Sequence, residues 1–100
     1  MLNTITIQGR LTKNPEPKTI PSGTALCSFT IASERPKKKD GDQQTDFIPC
    51  IAWAKTAEFM QKYFHKGDMI IVSGRLQSRQ YEGQDGKNHL AYEVSISEAN

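Results

Sequence analysis

The stretch Phe47-Ile48-Pro49-Cys50-Ile51-Ala52-Trp53 constrains this chain most. Its residues alternate as a strand does, with Phe47, Pro49, Ile51 and Trp53 on one side and Ile48, Cys50 and Ala52 on the other. Both sides are apolar. An antiparallel strand in a small two-layer domain usually buries one face and wets the other. Two arrangements reconcile the pattern: a strand packed on both sides in a closed barrel, or a strand that presents one apolar face to a flat ligand. The face carrying the rings of Phe47 and Trp53 is the one suited to presentation.

The remainder of the 100 residues is enough for one domain, residues 1–100, with one modest core. A first strand runs over 4–11, with Ile5, Ile7 and Leu11 inward and Thr4, Thr6, Gln8 and Arg10 outward. Gly9 inside it predicts a bulge or bend. Residues 12–23 contain Pro15, Pro17, Pro21 and Gly23 and read as a loop with two turns. A second strand over 24–33 turns Ala25, Cys27, Phe29 and Ile31 inward, with Ser28 and Thr30 opposite. Residues 34–45 are polar and read as an exposed loop. The opening stretch is strand three.

The period then changes. Over 55–66, Ala57, Met60 and Phe64 recur at helical spacing, with Glu58 in the first turn, Lys62 and Lys66 in the last and Gly67 as the stop. Strand four spans 68–76, with Ile70, Val72 and Leu76 inward and Gly74 as a second bend. Residues 77–92 read as a long polar hairpin with turns at Glu82-Gly83 and Asp85-Gly86. Strand five covers 92–97, with Val94 and Ile96 inward. Three strands, a helix and two strands, with bent strands, is the order of an all-β, five-stranded Greek-key barrel, the oligonucleotide-binding fold.

Thirteen Lys and Arg face eleven Asp and Glu, so the net charge of +2 decides little and placement decides more. No apolar run is long enough to span a membrane, and the N-terminus does not read as a signal peptide; a soluble cytoplasmic protein is expected. Cys27 and Cys50 fall in apolar runs and read as buried free thiols. Neither they nor His65 and His89 have metal-ligand spacing, so no metal or cofactor is expected. No phosphate loop, nucleophile–base grouping or carboxylate cluster is present, and the chain does not read as an enzyme.

The aromatic and basic residues carry more. There are eight aromatics. Phe59, Tyr63 and Phe64 of the helix and Phe29 read as core. Tyr81 lies in a polar hairpin with little core to join and should be exposed. Phe47 and Trp53 either pack beneath a loop or subunit, or present their rings. Strand four extended past Leu76 puts Arg75, Gln77, Arg79 and Tyr81 on one face. Arg10 projects from strand one, and Arg35, Lys37, Lys38 and Lys39 share a loop that a solvated surface also explains. Rings for bases and cations for phosphates, on strand surfaces and loops, are what a single nucleic-acid strand requires. Other readings are a barrel serving only as a protein-interaction module, or a metal-dependent nuclease.

Several runs then resemble bacterial single-stranded DNA-binding proteins: Gly9-Arg10-Leu11-Thr12 with Asn14-Pro15-Glu16, Pro21-Ser22-Gly23, Ser28-Phe29-Thr30-Ile31-Ala32, Asp46-Phe47-Ile48, Ala52-Trp53-Ala54-Lys55-Thr56-Ala57-Glu58, Tyr63 with Lys66-Gly67, and Gly74 to Tyr81. They cover nearly the whole chain in order. The resemblance implies an oligonucleotide-binding fold, assembled as a homotetramer, that wraps single-stranded DNA without sequence preference in replication, recombination and repair. It implies stacking on Phe47, Trp53 and Tyr81; the reading of the residues adds Ile51 as an apolar floor and phosphates near Arg10, Arg75, Arg79 and the Arg35 to Lys39 loop. A further stacking ring of the family has no match, because Arg35-Pro36 occupies its region. A dimeric primosome-type accessory protein is the alternative within the same fold. The family's acidic tip, which recruits replication and repair partners, has no counterpart in Ser97-Glu98-Ala99-Asn100, so tail-mediated partners are not expected. The chain reads either as a trimmed domain or as a short form.

Overall fold

The alternating runs form strands, and the strands close on themselves. In the computed structural model, which describes residues 1–37, 39 and 41–100, the order is β1 (Ile5–Leu11), β2 (Glu16–Thr19), β3 (Ala25–Glu34), β4 (Thr45–Trp53), α1 (Ala54–Tyr63), β5 (Met69–Glu82) and β6 (Asn88–Ala99). The sheet order is β1-β5-β6-β4-β3-β2, and β1 also pairs with β3, which closes the barrel. β4 and β6 are parallel; the other neighbours are antiparallel.

β1 makes the closure. Ile5 to Arg10 pair with β5, while Arg10 and Leu11 pair with β3. Gly9 lies at this crossing, where a Cβ would run into the carbonyl of Ala32. The bend expected at Gly9 is therefore a close backbone approach. The second bend falls where expected too, as a register shift between β5 and β6 at Ser73 and Gly74.

The inward faces assemble one core. Ile7, Leu11, Cys27, Phe29, Ile31, Cys50, Ala52, Ile70, Val72, Val94 and Ile96 are buried together, with Ala57 and Met60 of α1 packed onto them. Ile48, Cys50 and Ala52 thus find apolar partners inside, which settles one of the two apolar faces of β4. Both cysteines are free and buried. Burial pushes the Cys27 thiol up to about 11. Burial, with the charge of Glu93, pushes Cys50 up to about 12. At neutral pH both remain thiols and act as small apolar packing residues.

Several expectations need correction. The 12–23 segment is not all loop: Glu16–Thr19 pairs with β3 as an edge strand. All four of its residues are exposed, so no burial alternation marks it. The sheet therefore has six strands, with the fold class unchanged. The long hairpin expected over 77–92 is present, with β5 and β6 paired out to Glu82 and Asn88. Leu76 points to the inward side, opposite Val94, yet it is 44% exposed. It sits at the mouth of the barrel: β1 stops covering β5 at Gly74, and beyond it only the Asn3 carboxamide pairs with the Leu76 backbone, at 2.8 and 3.1 Å.

The helix differs as well. It begins one residue early and stops at Tyr63, so Glu58 lies past the first turn and Lys66 lies outside. Phe64 takes extended backbone while its N–H still reaches the Met60 carbonyl. The next residues form a turn in which the Asp68 carboxylate accepts from the His65 N–H at 2.8 Å. Ala57, Met60 and Phe64 do face the core, but Phe59 and Tyr63 are exposed, their rings tilted 48° to each other with centroids 5.0 Å apart. The barrel end is wide enough for the first row and not for its flank.

Ala54 carries a cost. Its φ is +52°, alone among the described non-glycine residues in having positive φ. The left-handed conformation costs an L-residue roughly 1–2 kcal/mol, and glycine gives back about 0.4–1 kcal/mol through the unfolded chain. Ala54→Gly should therefore stabilise the fold by about 0.5–1 kcal/mol, raising the melting temperature by a few degrees in thermal denaturation. A lower melting temperature would contradict this.

Candidate nucleic-acid interface

The register of the sheet shows which side chains share the outer surface. On β4 these are Phe47, Pro49, Ile51 and Trp53, whose partners on β3 are Ala32, Thr30, Ser28 and Leu26. Ile51 also pairs with Ser95 on β6, and Ser95 pairs with Arg75 on β5. From there Gln77, Arg79 and Tyr81 follow along β5, opposite Glu93, Ala91 and His89. One continuous face therefore runs from Trp53 across β6 to the end of the β5–β6 arm.

The rings lie open on it. Phe47 is 67%, Trp53 40% and Tyr81 44% exposed. Ile51 is half-buried between its neighbours, and Pro49 is exposed. Among the described residues nothing covers this apolar side, so β4 is buried on one face and open on the other.

The cations are distributed less uniformly. Arg79 reaches Glu93 with Nε to Oε1 at 3.3 Å, and its guanidinium carbon lies 5.8 Å from the Tyr81 ring centre. Arg79 is thus held beside the ring. Arg75 lies on the same face by register. Arg10 donates to the Gly67 carbonyl at 3.0 Å; its sheet partner Ala32 is also the partner of Phe47, so Arg10 extends the surface around the closing edge.

Arg35 is engaged within the chain. Its Nε and a terminal nitrogen donate to the two Asp46 oxygens at 2.9 Å each, and the other terminal nitrogen donates to Gln44 Oε1 at 2.9 Å. This hydrogen-bonded pair raises the guanidinium further above its ordinary range and holds the Asp46 carboxyl below the usual carboxylate range. The fork closes the base of the β3–β4 loop, so Arg35 has a structural contact before any ligand arrives. Lys37 and Lys39 are exposed on that loop. Lys38 lies outside the described residues.

Beside the rings is a cleft of about 280 Å³ lined by Thr12, Lys13, Asn14, Glu16, Ser28, Phe29, Thr30, Pro49, Cys50, Arg79 and Glu93. Sequence reasoning left Thr12, Lys13 and Asn14 out of the candidate surface. The loop composition gave no sign of them; the Lys66 N–H donates to Asn14 Oδ1 at 2.8 Å and ties this loop to the turn after α1. Ser28 and Thr30 were legible as the outward side of their strand. The lining mixes the charged Lys13, Arg79, Glu16 and Glu93 with the apolar Phe29, Pro49 and Cys50. Among the described residues no group of three or more His, Cys, Asp or Glu side chains is placed to hold a metal ion, and no helix is long and apolar enough to cross a membrane.

The family described as the single-strand binding protein family matches residues 2–100. The chain belongs to that family. It is 47% identical over 98 residues to single-stranded DNA-binding protein 2 of Clostridium acetobutylicum, covering 97% of this chain and 74% of the relative. It is 43% identical over 95 residues to the single-stranded DNA-binding protein of Oceanobacillus iheyensis, covering 94% of this chain and 59% of that relative. Membership in the single-strand binding family agrees with the closed barrel and the position of α1.

Proposed function

We propose that this chain binds single-stranded DNA without sequence preference, laying bases on Phe47, Trp53 and Tyr81 and phosphates near Arg75, Arg79, Arg10 and the Lys37 to Lys39 loop. The observation that carries the reading is the uncovered face itself: three exposed rings and an apolar strip on the outward face of the sheet, flanked by arginines. Stacking accepts any base because every base has a π-face. Phosphate contacts add affinity that falls as salt rises. No catalytic step is part of this reading. The setting is the cytoplasm during replication, recombination and repair, where exposed single strands need cover.

Fluorescence anisotropy of labelled oligo-dT tests it. The reading expects saturable binding that weakens with salt, and Arg75→Glu with Arg79→Glu should flatten the dependence of log affinity on log salt by roughly one unit per lost contact. Unchanged binding after both reversals would overturn the phosphate assignment. A barrel used only for protein interaction predicts no binding in either protein.

Assembly follows from β1. Its pairing with β5 uses one edge, and only Arg10 and Leu11 use the other. The free edge, with exposed Thr4, Thr6 and Gln8 beside it, is a template for pairing with a second copy. We take this as the first contact of a homo-oligomer, in the tetramer that the family resemblance implies. Sedimentation should show a multiple of the 11.2 kDa chain; a monomer would contradict it.

A further inference from the structure

Tyr81 stands at the end of the β5–β6 arm, away from the barrel core, yet its ring is not left to rotate freely. His89 is its direct partner across the ladder. The imidazole stacks on the phenol ring with centres 5.5 Å apart and planes 29° from parallel. The imidazole is itself fixed from two other sides. Its Nε2 lies 3.1 and 3.3 Å from the Asp85 oxygens, and Asp85 Oδ1 also accepts the Lys87 N–H at 3.0 Å. The Lys87 N–H and the His89 ring together hold the Asp85 carboxyl below the usual carboxylate range. On the remaining side, a Cβ on Gly83 would lie 2.6 Å from His89 Cδ2 and 2.7 Å from Nε2. The ring therefore occupies the space that the missing side chain of Gly83 leaves. The turn is closed by Gly83 N–H to the Lys87 carbonyl at 2.9 Å and Gly86 N–H to the Gly83 carbonyl at 3.0 Å.

We propose that His89 is a positioning residue for nucleic-acid binding: seated on Gly83 and anchored to Asp85, it holds the Tyr81 ring at the angle that receives a base. This rests on the reading that Tyr81 stacks with single-stranded DNA. A tyrosine on an exposed two-stranded arm otherwise spends rotamer freedom on binding, and a ring already held in place loses less. Gly83 and Asp85 in the turn and His89 at the start of β6 all lie outside the core cluster, so they act on the ring without acting on the barrel.

The test is oligo-dT affinity in a double-mutant cycle, with melting temperature measured on every variant. His89→Ala should weaken binding by about 3- to 10-fold, a part of what a stacked base contributes. In a Tyr81→Ala background the same change should have no further effect. His89→Phe, which restores a ring without the Asp85 bond, should recover most of the affinity, and His89→Gln should not. Gly83→Ala leaves the imidazole intact but fills its seat, and should reproduce the His89→Ala loss; the two together should lose no more than either. Equal losses from His89→Ala with and without Tyr81, or wild-type affinity in Gly83→Ala, would overturn the proposal. Absence of binding by the unaltered protein would instead overturn the reading on which it rests.

Discussion

Trp53→Ala should weaken binding to oligo-dT by about 1–3 kcal/mol, roughly 5- to 150-fold, while the barrel still folds. The ring belongs to the outward row of β4 and is open to solvent, so its removal takes away a stacking surface and little core. Leu26, its partner on β3, is buried without joining the main core cluster. Truncation uncovers that leucine, so some loss of stability is expected alongside the loss of affinity. Trp53→Phe separates the two: a ring remains, and most of the affinity should remain with it. Equal affinity in the wild type and Trp53→Ala would remove Trp53 from the interface.

The second large effect is on the fold. A Cβ at Gly74 would enter the carbonyl oxygen of Ser95 and press on the backbone of Ile96. These are backbone atoms, which cannot step aside as a side-chain tip can. Gly74→Ala should cost about 2–3 kcal/mol through forced backbone movement, lowering the melting temperature by roughly 10–20 °C for a domain of this size. Circular dichroism on heating reads this directly. Gly83→Ala is the control, since its new methyl meets only the ends of the His89 and Asp85 side chains; it should melt near the wild type. Similar melting of Gly74→Ala and the wild type would show that the β5–β6 register shift at Gly74 does not need glycine.

What was legible in the chain follows from burial. β1, β3 and β4 alternate clearly because each has a face against the core, and Ile7, Phe29 and Cys50 could be placed before any fold was known. The outward rings of β4 were legible for the same reason: once Ile48, Cys50 and Ala52 take the core side, Phe47 and Trp53 have only the other. The arm was legible as a hairpin from its turn residues Glu82-Gly83 and Asp85-Gly86, and extending strand four past Leu76 put Arg75, Gln77, Arg79 and Tyr81 on one face, as the β5–β6 register does. β2 was hidden, since a four-residue edge strand with every side chain exposed has no period to read. Phe59 and Tyr63 misled in the opposite direction: their spacing continues an apolar helix face, but the barrel end receives only Ala57, Met60 and Phe64. Arg35 shows a further limit. Charge in a basic loop suggested a phosphate contact, and only the geometry showed its fork already on Asp46.

The account stands on the outward face of β4 being the surface that receives the strand, and the chain's one tryptophan reports from that face. Titration of the intrinsic fluorescence with oligo-dT, repeated at rising salt, is the direct measurement. Saturable quenching of Trp53 that shifts to higher ligand concentration as salt rises is the expected result. Binding of oligo-dT with no change in Trp53 emission would place the ligand elsewhere on the barrel and contradict it.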